Sequence, residues 1–219
     1  MKISKNYYFS FLIIFLSFFA STHDARCNNA ELQKDSTEII SLIQSAQQKS
    51  LKNFPEAAQE LNKAIAMTQR IGSATLLFKI YRSSGSVYED NSKLEDAAAY
   101  YKKSLDLVGH VSDADKLDIY IDWAIINKKI GKYKVSRDYY DRTLELAQQI
   151  GDIQMVQFAY NGLGTLHGAL GEFDKAIDAY LHSIDIAKKR KNIKDELVTL
   201  TNIANVYTKS NNFELRLII

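Results

Sequence analysis

The chain has 219 residues, 46% hydrophobic and 25% charged, with a formal net charge of +2; that composition excludes a disordered chain and fits one large globular domain or two small ones. One proline and nine glycines leave few breakers of regular structure, which predicts helix nearly throughout. A single cysteine, Cys27, excludes an intramolecular disulfide framework, and with four scattered histidines (His23, His110, His167 and His182) it makes no metal-ligand set, so neither metal nor cofactor is expected.

Residues 1–22 read as an export signal. Lys2 and Lys5 make a basic start, the 14 residues from Tyr7 to Ala20 are uncharged and mostly apolar, and Ser21 to Cys27 turns polar. Small-residue pairs place cleavage after Thr22 (Ala20-Ser21-Thr22) or as late as Cys27 (Ala25-Arg26-Cys27). The apolar run is shorter than the ~20 residues a spanning helix needs, so no membrane span is expected in the mature chain; the alternative is an uncleaved N-terminal anchor. Loss of this segment removes Lys2 and Lys5 and no acid, which brings the formal charge to zero. A neutral chain offers no general field for nucleic acid or anionic lipid, and nucleic acid is not expected as a partner. The expected location is periplasmic or extracellular, and residues 23–35 read as a linker.

From residue 36 the sequence is periodic. The first unit, 36–73, opens with a helical but poorly matched stretch, Ser36 to Ser50, and continues with Phe54, Ala57, Leu61, Ala64, Ile65 and Met67. Units at 74–112, 113–152 and 153–192, with an incomplete one at 193–219, align on the small residues Gly85, Ala124, Gly164 and Ala204, spaced by 39, 40 and 40. Four positions earlier stand Tyr81, Tyr120, Tyr160 and Leu200; nine positions later stand Leu94, Tyr133, Phe173 and Phe213. A second small column follows in Ala97, Ser136 and Ala176, then Tyr101, Tyr140 and Tyr180, then paired apolar residues such as Leu105 and Leu107. Phe173, Ala176, Ile177, Tyr180, Ile184 and Ala187 step by three or four, so each period holds two helices with one apolar stripe apiece. The separators are short, as in Asn91-Ser92-Lys93, Gly131-Lys132 and Gly171-Glu172, which makes successive helices antiparallel neighbours. Gly131 and Gly171 suit the left-handed position just past a helix end, and Pro55 suits a first helical turn. The small columns predict close crossings in which a neighbour's tyrosine or leucine fills the gap.

A small residue, then Tyr or Phe, then Ala and a second aromatic on a two-helix period resembles the tetratricopeptide repeat. The strongest copy runs from Asn161-Gly162-Leu163-Gly164 through Gly171-Glu172-Phe173-Asp174-Lys175-Ala176 to Tyr180. Asn127, Ser136 and Thr143 depart from the family pattern without breaking the register. The resemblance extends over residues 36–213 and implies an all-α, right-handed superhelical solenoid of antiparallel helix pairs. Its period of about 40, against the family's usual ~34, is similar to repeat arrays attached to bacterial signalling regulators. The resemblance further implies a non-enzymatic protein-protein interaction scaffold that binds a peptide or partner protein in a concave groove lined by the first helices. Groove positions carried over in this way are Lys79, Arg82, Ser86 and Glu89; Ile121, Ile125, Lys128 and Lys129; Asn161, Thr165 and Gly168; and Thr201, Asn205 and Lys209. The alternative it implies is the truncated sensor portion of a two-component histidine kinase or transcriptional regulator.

Other motifs read as structural. Gly162 to Gly168 mimics a dinucleotide-binding glycine motif, but it falls inside an amphipathic helix with no preceding strand. His167 shares a column with Tyr88 and Tyr207 and replaces a packing aromatic, with no visible catalytic partner. Lys188-Lys189-Arg190-Lys191 closes a second helix, where its dipole favours cations, and reads as a solvated end. No enzymatic motif occurs, and no catalytic residue is expected. Arg216 stands where the register asks for a small residue, so the last repeat has almost no second helix. Ile203, Val206 and Tyr207 are therefore expected to be exposed unless a second copy of the chain covers them, and self-association through this end is one expectation.

Overall fold

The computed structural model describes residues 33–210. The export signal, its cleavage sites at Thr22 and Cys27, Phe213 and the end of the incomplete repeat lie outside the described residues. Among the described residues there are nine helices and no strand: α1 (33–49), α2 (Phe54–Ile71), α3 (Ala74–Asp90), α4 (Leu94–Leu105), α5 (Asp113–Lys129), α6 (Tyr133–Ile150), α7 (Ile153–Ala169), α8 (Phe173–Lys189) and α9 (Ile193–Lys209). Helices α2 to α9 each pack on the next, and α5 on α7 and α7 on α9 also touch, so the odd-numbered helices share one layer of an all-α repeat solenoid.

The connections alternate in kind. At α3, α5, α7 and α9 a capping side chain, Ser73, Ser112, Asp152 or Asn192, accepts from the backbone N–H three residues on. Helices α4, α6 and α8 start without a side-chain cap. The chain reaches them through a left-handed residue: Gly131 (φ 78°) and Gly171 (φ 75°), as the spacing predicts, and Ser92 (φ 58°), which is not glycine. Lys191 (φ 55°) does the same between α8 and α9. In these turns a backbone N–H reaches back five residues to a helix carbonyl, as in Lys132 to Asn127 (2.8 Å), Glu172 to His167 (3.0 Å) and Asn192 to Ala187 (2.9 Å). One joint departs from the pattern: α4 stops at Leu105, and a 3-10 turn, Val108–His110, carries the chain to Ser112. Leu107 therefore lies past the helix end rather than beside Leu105 on it.

The small columns are the places where helices meet. A methyl group at Gly85 would lie 2.5 Å from the Tyr101 ring, and one at Gly164 would lie 2.6 Å from Tyr180. Ala124 and Tyr140 share a buried cluster with Leu163 and Leu166, and Tyr140 also leans on Gly162 of the next repeat. Ala97, Ser136 and Ala176 are fully buried. At the last helix the expectation is corrected. Ile203 and Val206 are 2% and 4% exposed, because they pack against Ala176, Tyr180 and Ile184, and Tyr207 is half-buried on the same cluster. The exposed apolar residues of α9 are Ile193, Leu197 and Val198.

The basic run is also not simply solvated. Lys189 pairs with Asp185, but the Arg190 guanidinium donates to Gln157 Oε1 (2.6 Å) and Gln154 Oε1 (3.0 Å) and lies 3.6 Å from Asp195. It ties the starts of α7 and α9 to the end of α8.

Lys191 holds a left-handed conformation that costs an L-residue about 1–2 kcal/mol, whereas glycine adds about 0.5–1 kcal/mol of unfolded-state entropy. Lys191→Gly is therefore expected to raise stability by about 0.5–1 kcal/mol, seen as a higher urea midpoint at unchanged slope. A lower midpoint would mean that the lysine is not strained.

Candidate functional site: a polar face with two hollows

Residues one period apart sit side by side on neighbouring odd-numbered helices, so each groove position belongs to a row running along the array. The layer carries two hollows. The first, about 460 Å³, lies among α1, α3 and α5 and includes Gln44, Gln47, Lys79, Arg82, Asp115 and Asp122. The second, about 300 Å³, lies among α5, α7 and α9 and includes Lys128, Thr165, Asn202, Asn205 and Lys209 over a floor of Gly168, Ala169 and Val206.

In the first hollow Arg82 is already matched. Arg82 Nε donates to Asp122 Oδ2 and its NH1 to Asp118 Oδ2, both at 2.6 Å. Burial works to lower the guanidinium pKa, and the two aspartates more than offset it. Burial raises the Asp122 pKa above the ordinary aspartate range; Arg82 opposes that rise, while Asp118 and Glu89 add to it. Next to this pair, Glu89 accepts from the Tyr101 hydroxyl (2.8 Å) and pairs with Lys129 (2.8 Å). Burial, then Asp122 and Glu89, pushes the Tyr101 pKa upward.

The second hollow is different in sign. None of its lining residues is acidic. Lys128 is half-buried; desolvation and then the neighbouring Lys129 lower its pKa. Polar groups link its walls: the Tyr180 hydroxyl donates to Thr165 Oγ1 (3.2 Å), Thr165 to the Asn161 carbonyl (2.9 Å), and Asn202 Nδ2 to Asn161 Oδ1 (3.1 Å).

The positions named from the sequence therefore divide. Lys79 and Arg82 reach the first hollow; Lys128, Thr165, Asn205 and Lys209 meet in the second, with Asn161 tied to its edge. Ile121 and Ile125 are half-buried against the core around Ala124 and Tyr140. Lys129 is held by Glu89, and the exposed Thr201 hydroxyl donates to the Leu197 carbonyl.

Residues 115–189 match the family model for the tetratricopeptide repeat. That stretch is made of tetratricopeptide repeats. No curated protein sequence matches it. Among solved structures, the apo form of RapI superposes with a TM-score of 0.73 at 15% identity, over 83% of this chain and 67% of its own. A signal transduction ATPase with numerous domains and a tetratricopeptide repeat sensor, from Pyrococcus horikoshii, gives 0.71 at 16% identity, over 83% of this chain and 30% of its own. BtubC from P. vanneervenii gives 0.59 at 19% identity, over 84% and 86%. At these identities the likeness is one of fold.

Several residues of this tetratricopeptide array escape a column-by-column reading of its sequence. Asn202 lies one position from the chosen Thr201 and holds Asn161 instead. His167 does have a partner: its Nδ1 lies 2.5 Å from Glu172 Oε2, and Arg137 NH2 lies 3.2 Å from the same oxygen. The hydrogen bond from His167, then Lys175, lowers the Glu172 pKa. This cluster spans the α7–α8 turn outside both hollows. Among the described residues no group of three His, Cys, Asp or Glu side chains is placed to hold a metal, and no helix is long and apolar enough to cross a membrane.

Arg82→Met would leave Asp118 and Asp122 half-buried without their counter-ion, at an expected loss of about 1–2 kcal/mol near neutral pH. Asp122 takes up its proton at a higher pH than an ordinary aspartate, so acidification relieves the repulsion, and the deficit should narrow as the pH falls toward the carboxyl range. Urea unfolding of both proteins at a series of pH values measures this; a deficit that stays constant or grows on acidification contradicts the strut role of Arg82.

Proposed function

We propose that this chain is an exported scaffold that holds a peptide or a segment of a partner protein along the odd-numbered helices. Tetratricopeptide repeats are protein-interaction modules, and such solenoids present a preformed extended surface. The observation that carries the proposal is the pair of polar hollows on one layer: exposed Lys79 lines the first, and exposed Asn205 and Lys209 stand beside Thr165 and Lys128 in the second. Asparagine amides can donate to and accept from a passing backbone, and lysines can pair with carboxylates. The even-numbered helices then act as the support that fixes the spacing of the first. Export rests on the basic, apolar and polar succession in residues 1–27.

A second reading makes the array the sensor part of a signalling regulator. It is supported by the fold likeness to the Pyrococcus horikoshii protein, whose tetratricopeptide segment is described as a sensor.

The full chain carrying Lys79→Ala, Asn205→Ala and Lys209→Ala tests the groove, with Lys134→Ala and Glu145→Ala on the exposed side of α6 as the control. Affinity purification from the source cell with quantitative mass spectrometry should show at least a tenfold drop in co-purifying protein for the first variant and none for the second. Equal recovery by both argues against binding on the odd-numbered layer.

A further inference from the structure

At one edge of the array, where even-numbered helices end and odd-numbered helices begin, exposed apolar side chains stand among lysines. Arg190 at the end of α8 bonds Gln154 and Gln157 near the start of α7, and Gln157 Nε2 donates to Asp195 (3.1 Å) in the first turn of α9. The starts of α7 and α9 are therefore side by side. Ile153 and Ile193 are the first residues of these two helices, one period apart. They are 53% and 70% exposed, and Ile150 at the end of α6 is 43% exposed. Ile153 remains open although α8 and α9 pack beyond it, so this exposure is not peculiar to the last helix.

Lys188, Lys189, Lys191 and Lys194 at the same corner are all exposed. Lys189 pairs with Asp185 and Lys188 stands 3.7 Å from Glu196, surface contacts of little strength. The ammonium groups of Lys191 and Lys194 make no hydrogen bond or ion pair among the described residues. Lys191 is also the residue under backbone strain. The turns into α3 and α7 put Gly72 and Gly151 in the left-handed region, each at φ 75°, whereas the turn into α9 puts a lysine there at φ 55°. Strain that no contact of the side chain offsets points to a role outside the fold. None of these residues lines either hollow, so the edge is separate from the groove.

From this corner we infer that the edge docks on an anionic lipid surface, with Ile150, Ile153 and Ile193 entering the boundary between headgroups and acyl chains and the lysines lying among the headgroup phosphates. Turn tips project from the ends of helices, a shape that meets a flat surface. Protein interfaces are depleted of lysine, whereas lysines here flank the apolar tips. Their long stems keep the ammonium groups at the level of the phosphates while the isoleucines beside them go deeper. The formal charge of the whole chain is only +2, so the attraction is local to this corner and falls off within about one Debye length. Apolar tips or lysines alone give marginal binding; together they give reversible docking that depends on lipid composition.

The test titrates the full chain, in a Cys27→Ser background, with lipid vesicles while one new cysteine at a time carries the environment-sensitive dye nitrobenzoxadiazole. Gln149→Cys at the end of α6 reports on this edge, and Lys134→Cys near the start of the same helix reports on the opposite one. An N-terminal segment held in the bilayer tethers the chain without favouring either end of α6, so a contrast between the two dyes belongs to the edge. With vesicles of equal parts phosphatidylglycerol and phosphatidylcholine, the dye at 149 should brighten and shift to the blue while the dye at 134 does not. Pure phosphatidylcholine should move neither. Lys191→Gly should raise the half-saturating lipid concentration about fivefold; the same change is expected to stabilise the fold, so unfolding does not account for such a loss. Ile193→Ser should raise it about tenfold. Equal responses of the two dyes, an equal response to pure phosphatidylcholine, no response to any vesicle, or a response indifferent to both Lys191→Gly and Ile193→Ser overturns the proposal. A random-sequence DNA duplex or polyglutamate that evokes the response at 149 without vesicles makes the edge a site for another polyanion and overturns the lipid assignment.

Discussion

A tyrosine ring laid on a glycine sets how closely the two helices of a repeat can approach. Tyr101 covers Gly85 and Tyr180 covers Gly164 at separations that leave no room for a methyl group. Glycine in mid-helix costs about 1 kcal/mol relative to alanine. A buried tyrosine removes roughly 150–250 Å² from water, which at ~25 cal/mol per Å² contributes up to about 4–6 kcal/mol. The packing term wins, so a residue that weakens the isolated helix strengthens the array. Tyr140 extends the device by resting between Ala124 of its own repeat and Gly162 of the next.

Close helix pairs, joined by turns of fixed length, place every first helix in one layer. The turn into α4, α6 or α8 closes through a left-handed residue and needs no cap, whereas the turn into α3, α5, α7 or α9 ends on a capping Ser, Asp or Asn. Because first helices line up at intervals of 39 or 40 residues, a side chain finds its neighbours about one period away: Arg82 and Asp122, Glu89 and Lys129, Asn161 and Asn202, Gln157 and Asp195. Part of this layer is consumed in holding repeats together, and exposed side chains such as Lys79, Asn205 and Lys209 make up the remainder.

That division explains what the sequence could and could not disclose. The helical period, the Gly85 and Gly164 columns and the turn glycines Gly131 and Gly171 were legible, because each reflects a local steric need that recurs. Ser92 and Lys191 were not, since nothing in their chemistry marks a left-handed backbone. The short α4 was hidden because Leu107 keeps the apolar rhythm beyond the point where the helix stops. Residue type and position mark Arg82 and Lys129 as groove residues. Their acidic partners stand 36 to 40 residues away, and only pairing charges across one full period reveals them. The role of Arg190 is hidden for the same reason, since Gln157 lies 33 residues before it.

A double-mutant cycle on Gly164 and Tyr180, followed by urea unfolding, tests the nesting of ring on glycine most directly. Gly164→Ala should destabilise the native chain by about 1–3 kcal/mol in spite of alanine's higher helix propensity. In a Tyr180→Ala background, with the ring gone, the same change should stabilise by up to about 1 kcal/mol. A Gly164→Ala effect of equal size and sign in both backgrounds would show that the two residues do not act on each other and would contradict the packing of ring on glycine described here.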